Sequence, residues 1–284
     1  MMDRTALLRQ GLKAAEAARE AAEVDPFGPA DPYAVAENFG LRVNFTATSM
    51  EGFYFKGKPP NILISSLRPV GRRAFTCAHE LGHHWFGHGS TIDQLQEDDR
   101  EESNKPDEVL ANAFAAFFLM PTVVVRAAFA SRGWPVSSPT PVQLFTIACE
   151  LGVGYGTLLN HLTYTLREIS TASRQELKKW TPQRIRKHLL GDDSEEAVIV
   201  IDGHNAAPTF DVEKKAGVLL PTGAMVTGSA LVHEQELDGF DLYRAARRGE
   251  AAISGVETPT RVRVMPKQYE GPARRRFLED PDED

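Results

Sequence analysis

Ala74-Phe75-Thr76-Cys77-Ala78-His79-Glu80-Leu81-Gly82-His83-His84-Trp85-Phe86 is the stretch around which the rest of the chain has to be arranged. It contains His-Glu-x-x-His with apolar residues before and after, and no Pro or run of Gly interrupts it. On a helix, His79 and His83 project from one face, one turn apart. Two neutral imidazoles so placed can bind one Zn²⁺, with Glu80 beside them as a candidate base for a water. A surface helix that merely happens to carry histidines is the plainer alternative. With only eight histidines in 284 residues and apolar flanks, a buried metal-binding helix explains more.

Composition sets the frame. Apolar content of 42% with 25% charged residues is that of a globular protein with ample core. The length suits two or three small domains better than one. A net charge of −7 argues against coating nucleic acid through overall charge, although a local basic patch stays open. No apolar stretch reads as a bilayer span. Residues 1–24 intersperse Arg4, Arg9, Lys13, Glu16, Arg19, Glu20 and Glu23 among Ala and Leu, an amphipathic helix without a signal-peptide core. The two cysteines, Cys77 and Cys149, lie in apolar helical patterns and read as reduced core residues of a cytoplasmic protein.

Asp31-Pro32 opens a short helix that Gly40 ends. Leu41–Phe45, Gly52–Phe55 and Asn61–Ser65 are strand candidates, the last two joined through Lys56-Gly57-Lys58-Pro59-Pro60 as a hairpin. A small antiparallel sheet is therefore expected ahead of the His-Glu helix, and its edge could hold an extended peptide. From Ser90 to Asp107 the chain turns acidic, with Asp93, Glu97, Asp98, Asp99, Glu101 and Glu102, and reads as a loop over the site.

Asp107-Glu108-Val109-Leu110-Ala111-Asn112-Ala113-Phe114-Ala115-Ala116-Phe117-Phe118-Leu119-Met120 follows, a helix so apolar that it must be buried on most sides; Pro121 stops it. Glu108 stands near its start, at the edge of that buried surface. A carboxylate there needs a cation or several donors, and an ion held by two His still lacks a protein ligand. Glu108 answers both needs; stabilising the positive end of its own helix is the plainer role. Asn112, one turn on, could orient a ligand or bond to a neighbouring helix.

Phe75-Thr76-x-Ala78-His79-Glu80-Leu81-Gly82-His83, followed by Glu108-x-x-Ala111-Asn112-x-Phe114-Ala115-Ala116-x-x-Leu119-Met120-Pro121, resembles the ImmA/IrrE metallopeptidases. These are bacterial proteases that cleave helix-turn-helix repressors after stress or a cell-cell signal. The resemblance covers roughly residues 30–170. It implies zinc on His79, His83 and Glu108, and Glu80 as the base. Leu110 stands where many members carry a second acidic or polar residue. Gly89 occupies the position of a metzincin third histidine, and His88 is one residue short of it. His84, His88 and Tyr54 remain candidates for an oxyanion donor or a supporting role. Mn²⁺ or Fe²⁺ could replace zinc on two His and one carboxylate.

Past Pro121, Val123–Phe129 reads as another helix, and Val142–Leu162 has the rhythm of a helix-turn-helix with Gly152 in the turn. Its second helix offers Tyr155, Thr157, Asn160, His161 and Tyr164, with no Lys or Arg before Arg167. That favours a structural or protein-binding role over direct DNA readout. Arg174, Lys178, Lys179, Arg184, Arg186, Lys187 and His188 form the largest basic concentration, and Arg274-Arg275-Arg276 a smaller one. Residues 191–196 read as a boundary. Beyond it lie short β-type runs at 198–201, 217–220, 224–228 and 261–264, a helical segment Gly239–Arg247, two isolated histidines, His204 and His233, and an acidic tail.

The expected fold is α+β: a zincin-like, mostly helical peptidase core with a small antiparallel sheet at 1–125, a helix-turn-helix-like helical domain at 126–190, and a small α+β C-terminal sensor or docking domain at 197–275. The expected function is a cytoplasmic, zinc-dependent endopeptidase cleaving a regulatory protein, a DNA-binding repressor in a stress or mobile-element response. The competing class is a non-proteolytic zinc-containing regulator that binds DNA or a partner, for which Glu80 would be dispensable.

Overall fold

A computed structural model describes residues 4–93, 105–191 and 195–278. The acidic run from 94 to 104, the boundary residues 192–194 and the tail from 279 onward fall outside the described residues. By packing the chain forms two units, Met1–Pro121 with Gln268–Arg276, and Thr122–Lys267 with Phe277–Asp284. Residues 268–275, expected in the C-terminal domain, thus belong with the first unit.

The first unit is built on helices α1 (Arg4–Ala21), α2 (Pro32–Asn38), α3 (Val70–Trp85) and α4 (Pro106–Leu119), and strands β1 (Arg42–Thr46), β2 (Gly52–Phe55), β3 (Asn61–Ser65) and β4 (Thr91–Asp93). Asp31 caps α2 by accepting from the amides of Tyr33 and Ala34, with Pro32 in the first turn, as the sequence predicts. α4 is the buried spine: Phe114, Ala115 and Phe118 have no exposure. α1 lies so close against it that a Cβ on Gly11 would stand 2.5 Å from the Cβ of Ala113. Arg19 anchors the far end of α1, donating to the carbonyl oxygens of Phe118 at 2.9 Å and Gly28 at 2.7 Å. Residues Pro106–Ser131 have the length and apolar content of a membrane span, but 61% of that window is buried within the protein, as in a core helix.

The sheet is mixed rather than wholly antiparallel. β3 pairs antiparallel with β2 but parallel with β1, Val43 opposite Ile62 and Phe45 opposite Ile64. The cause is burial: β3 carries Ile62 and Ile64, both without exposure, and takes the centre, so β1 must approach its other edge. The C-terminal strand β13 (Gly271–Pro272) closes the outer side of β1, and Arg276 beyond it bonds the Asp31 carboxylate at 3.2 Å and stacks on Tyr33 at 4.6 Å.

The second unit begins with α5 (Thr122–Ser131), α6 (Pro141–Glu150) and α7 (Tyr155–Asn160), the last running into a π-turn at His161–Thr165. α6 starts at a capping box of Thr140 and Gln143 and ends at Gly152, φ 64°; the chain then bends by 106° into α7. This is the helix-turn-helix arrangement the sequence predicts. Its second helix spends its polar groups internally: Tyr155 donates to the Leu177 carbonyl, Asn160 accepts twice from Arg174, and His161 is buried. α8 (Thr171–Lys178) and α9 (Pro182–Leu190) follow.

Residues 195–267 hold strands and, among the described residues, no helix. They are β5 (Val198–Val200), β6 (Thr209–Glu213), β7 (Gly217–Pro221), β8 (Met225–Thr227), β9 (Leu231–Leu237), β10 (Phe240–Ala245), β11 (Gly249–Ser254) and β12 (Thr260–Met265). Two four-stranded sheets, β5-β7-β10-β9 and β6-β12-β11-β8, share a core that includes Val218, Leu220, Ile253, Val262 and Val264. The expected helix at Gly239–Arg247 is strand β10. A register shift against β9 between Leu242 and Tyr243 breaks the alternation, so the buried residues become Leu242 and Ala245, at a spacing that imitates a helix.

Candidate metal centre

α3 forms because an apolar face of Ala74, Cys77, Ala78 and Leu81 is buried against the sheet and α4, and it carries His79, Glu80 and His83 into the same interior. The helices can cross closely at Gly82. A Cβ there would lie 3.1 Å from Ala111 Cα and 3.2 Å from Phe114 Cδ1, so a side chain would force its neighbours to give by a few tenths of an ångström. That approach lets the first turn of α4 reach the two imidazoles.

The result is a convergence of three side chains. His79 and His83 have their Nε2 atoms 3.0 Å apart. The Glu108 oxygens stand 3.4 Å from His79 Nε2 and 3.7 Å from His83 Nε2. Atoms bound to one zinc at about 2.0–2.2 Å in a tetrahedral arrangement are about 3.3–3.5 Å from one another. The three spacings surround that value, so one ion fits among them. Among the described residues His79, His83 and Glu108 are the one group of this kind, with ligand atoms within 4.8 Å of each other. Both imidazoles are buried while Glu108 keeps 23% side-chain exposure, leaving the group open on one side.

The flanking candidates fall into two sets. Asn112 Oδ1 lies 3.1 Å from His79 Nδ1, and His88 Nδ1 lies 2.9 Å from His83 Nδ1, each behind one imidazole. Tyr54 and His84 instead bond to each other, hydroxyl to Nδ1, at 2.9 Å. Burial holds the His84 ring below its ordinary pKa, with Lys56 adding to the effect, and burial raises the Tyr54 hydroxyl. Both groups are therefore neutral near pH 7. Glu80 has no exposed surface and packs under β2, where a Cβ on Gly52 would come within 2.9 Å of its Oε1. The isolated histidines of the second unit do not join any of this: His204 pairs with Glu257 at 2.8 Å and His233 faces Asp241 at 3.9 Å.

Residues 36–163, just under half of the chain, match the family model of the IrrE N-terminal-like peptidase domain. Over that span the chain is similar to the ImmA/IrrE metallopeptidases. The matched span contains all three converging side chains and Glu80, and continues through the helix-turn-helix. No curated protein matches the chain.

Three contributors escaped the sequence reading. Gly52 and Gly82 matter through what their missing side chains permit, and both partners are distant in sequence. Asp107, read only as part of an acidic stretch, lies with its Oδ1 3.4 Å from His88 Nε2. Its place next to Glu108 at the head of α4 was the available signal.

Proposed function

We propose that this chain is a zinc-dependent endopeptidase that cleaves a regulatory protein, a helix-turn-helix repressor, in a stress or mobile-element response. The observation that carries the reading is the convergence of His79, His83 and Glu108 beside a fully buried Glu80. The match to a peptidase family model supports peptide hydrolysis; the repressor as substrate rests on the resemblance of the two motifs.

His79 and His83 would hold zinc through Nε2 and Glu108 through a carboxylate oxygen, a donor set that also accepts Mn²⁺ or Fe²⁺. A bound ion supplies Lewis acidity, polarising the scissile carbonyl and acidifying water. Glu80 takes the proton of the attacking water onto its carboxylate and gives it to the leaving amine as the C–N bond breaks. Of the oxyanion candidates, His88 is engaged at both ring nitrogens. That leaves the Tyr54–His84 pair: with the hydroxyl as donor to Nδ1, the ring proton would sit on His84 Nε2 as a neutral donor.

The test is incubation of the zinc-loaded protein with the repressor encoded beside its gene, wild type against Glu80→Gln. Cleavage by wild type alone is expected. Equal cleavage by both would remove Glu80 from the chemistry. No cleavage, with a stable complex formed by both, would replace the endopeptidase with a binding regulator.

A further inference from the structure

Behind the second histidine of the motif the chain folds back on itself. α3 ends with Gly87 in the left-handed region at φ 71°; the Gly87 amide donates to the His84 carbonyl and the His88 amide to the His83 carbonyl, each at 3.0 Å. In this double closure of a helix end, the residue after the glycine returns over the one five positions earlier, usually as an apolar contact. Here the pair is His88 on His83, with ring centroids 5.0 Å apart and Nδ1 facing Nδ1 at 2.9 Å. The Phe86 ring stacks on His88 at 5.6 Å with an interplanar angle of 22°, fixing its plane.

Two ring nitrogens at that distance with no ion between them share one hydrogen. His83 turns Nε2 toward His79 and Glu108, so its proton belongs on Nδ1 and it donates to His88. His88 then carries its own proton on Nε2, which faces Asp107 Oδ1 at 3.4 Å. His79 is backed in the same sense, Nδ1 toward Asn112 Oδ1. One turn of α4 therefore presents Asp107 to His88, Glu108 to both imidazoles, and Asn112 to His79.

We propose that His88 is a positioning residue: it is the acceptor that fixes the tautomer and ring plane of His83, and Asp107 holds it in that role. The proposal rests on reading His79, His83 and Glu108 as the metal site. Partners behind a metal-bound imidazole typically contribute about 10–100-fold in metal affinity.

The experiment measures Zn²⁺ affinity by chelator competition and the Co²⁺ absorption spectrum, with melting of the metal-free protein alongside. His88→Leu should lose about 10–100-fold in Zn²⁺ affinity and shift the Co²⁺ bands. His88→Gln, whose Oε1 can accept the same proton, should keep most of the affinity, while the metal-free melting of the two variants stays alike. Asp107→Asn, at a site with 66% side-chain exposure where folding is not at stake, should lose affinity by a smaller factor. Wild-type affinity in His88→Leu, equal loss in His88→Gln and His88→Leu, or an unchanged Asp107→Asn would overturn the proposal. A wild-type protein that takes up no stoichiometric Zn²⁺ would instead bring down the metal-site reading, and this proposal with it.

Discussion

Replacing Gly52 by Ala adds one methyl group at the point where sheet and His-Glu helix meet. The new Cβ would stand 2.4 Å from Thr76 Cγ2 and 2.9 Å from Glu80 Oε1. The strand cannot retreat: Gly52 pairs with Ile64 in β3, and Glu51 before it is held by Arg68 at 2.9 Å and Arg72 at 2.8 Å. The side chains of α3 must move instead. Overpacking of this kind costs about 1–3 kcal/mol, and a shift of about 1 Å at a reacting group can cost ~10²-fold in rate. Urea unfolding and repressor cleavage by the zinc-loaded protein measure the two effects. The double variant Gly52→Ala with Thr76→Ser removes Cγ2 and with it the nearer contact. It should recover stability but not rate, because the approach to Glu80 Oε1 remains. A single variant with wild-type stability and wild-type cleavage would refute the idea that Gly52 makes room for the base; rate recovering together with stability would place the damage in packing alone.

Removing a proposed ligand should act on the ion rather than the fold: Glu108→Ala is expected to weaken Zn²⁺ binding in a chelator competition, whereas Glu80→Gln should leave it unchanged. In the second unit Arg132 has 1% side-chain exposure and joins Glu150 at 2.7 Å to Asp202 at 2.6 Å. Arg132→Leu strands the buried Glu150 and the part-buried Asp202 carboxylates and should cost about 3–5 kcal/mol in urea unfolding near neutral pH. Burial already holds the Glu150 carboxyl above its usual pKa despite Arg132 and the Ala206 amide. Its contribution to stability is therefore present below the unfolded pKa and falls as pH rises through the raised folded value, so Glu150→Gln should flatten that part of the pH–stability curve. The Cys149 thiol is pushed up to about 12 and the Cys77 thiol well above its usual value, both by burial; neither should react with a thiol reagent at pH 8 until urea unfolds the chain.

What the sequence disclosed follows the reach of each signal. His79 and His83 are legible because helical spacing alone decides their shared face, Glu80 because it lies within their motif, and Glu108 because a carboxylate at the edge of a buried helix calls for a cation or several donors. The turn at Gly152 and the cap at Asp31 are equally local. The sheet direction was not, since it depends on β3 inserting between its neighbours. β9 hides for another reason: between Leu231 and Leu237 its residues are exposed, so no alternation marks it. β10 misleads through its bulge, and β13 is two residues long. Gly52 and Gly82 are invisible because their constraint comes from Glu80, Thr76 and Ala111, all distant in sequence.

The two roles weighed for Glu108 turn out to be compatible. Pro106 opens α4, so Asp107 and Glu108 occupy its first turn, where the free amides and the helix dipole favour negative charge. A carboxylate at Glu108 is the form that would bind a cation, and the Asp107 carboxylate lies 3.4 Å from His88 Nε2. The rest of α4 is apolar enough to be buried against α1 and α3, which fixes the position of that turn without spending any of its polar groups. A helix with this much Phe and Ala is therefore part of the site's chemistry. Its burial supplies the rigidity, and its first turn and Asn112 place the proposed ligand Glu108 and the groups that face both histidines.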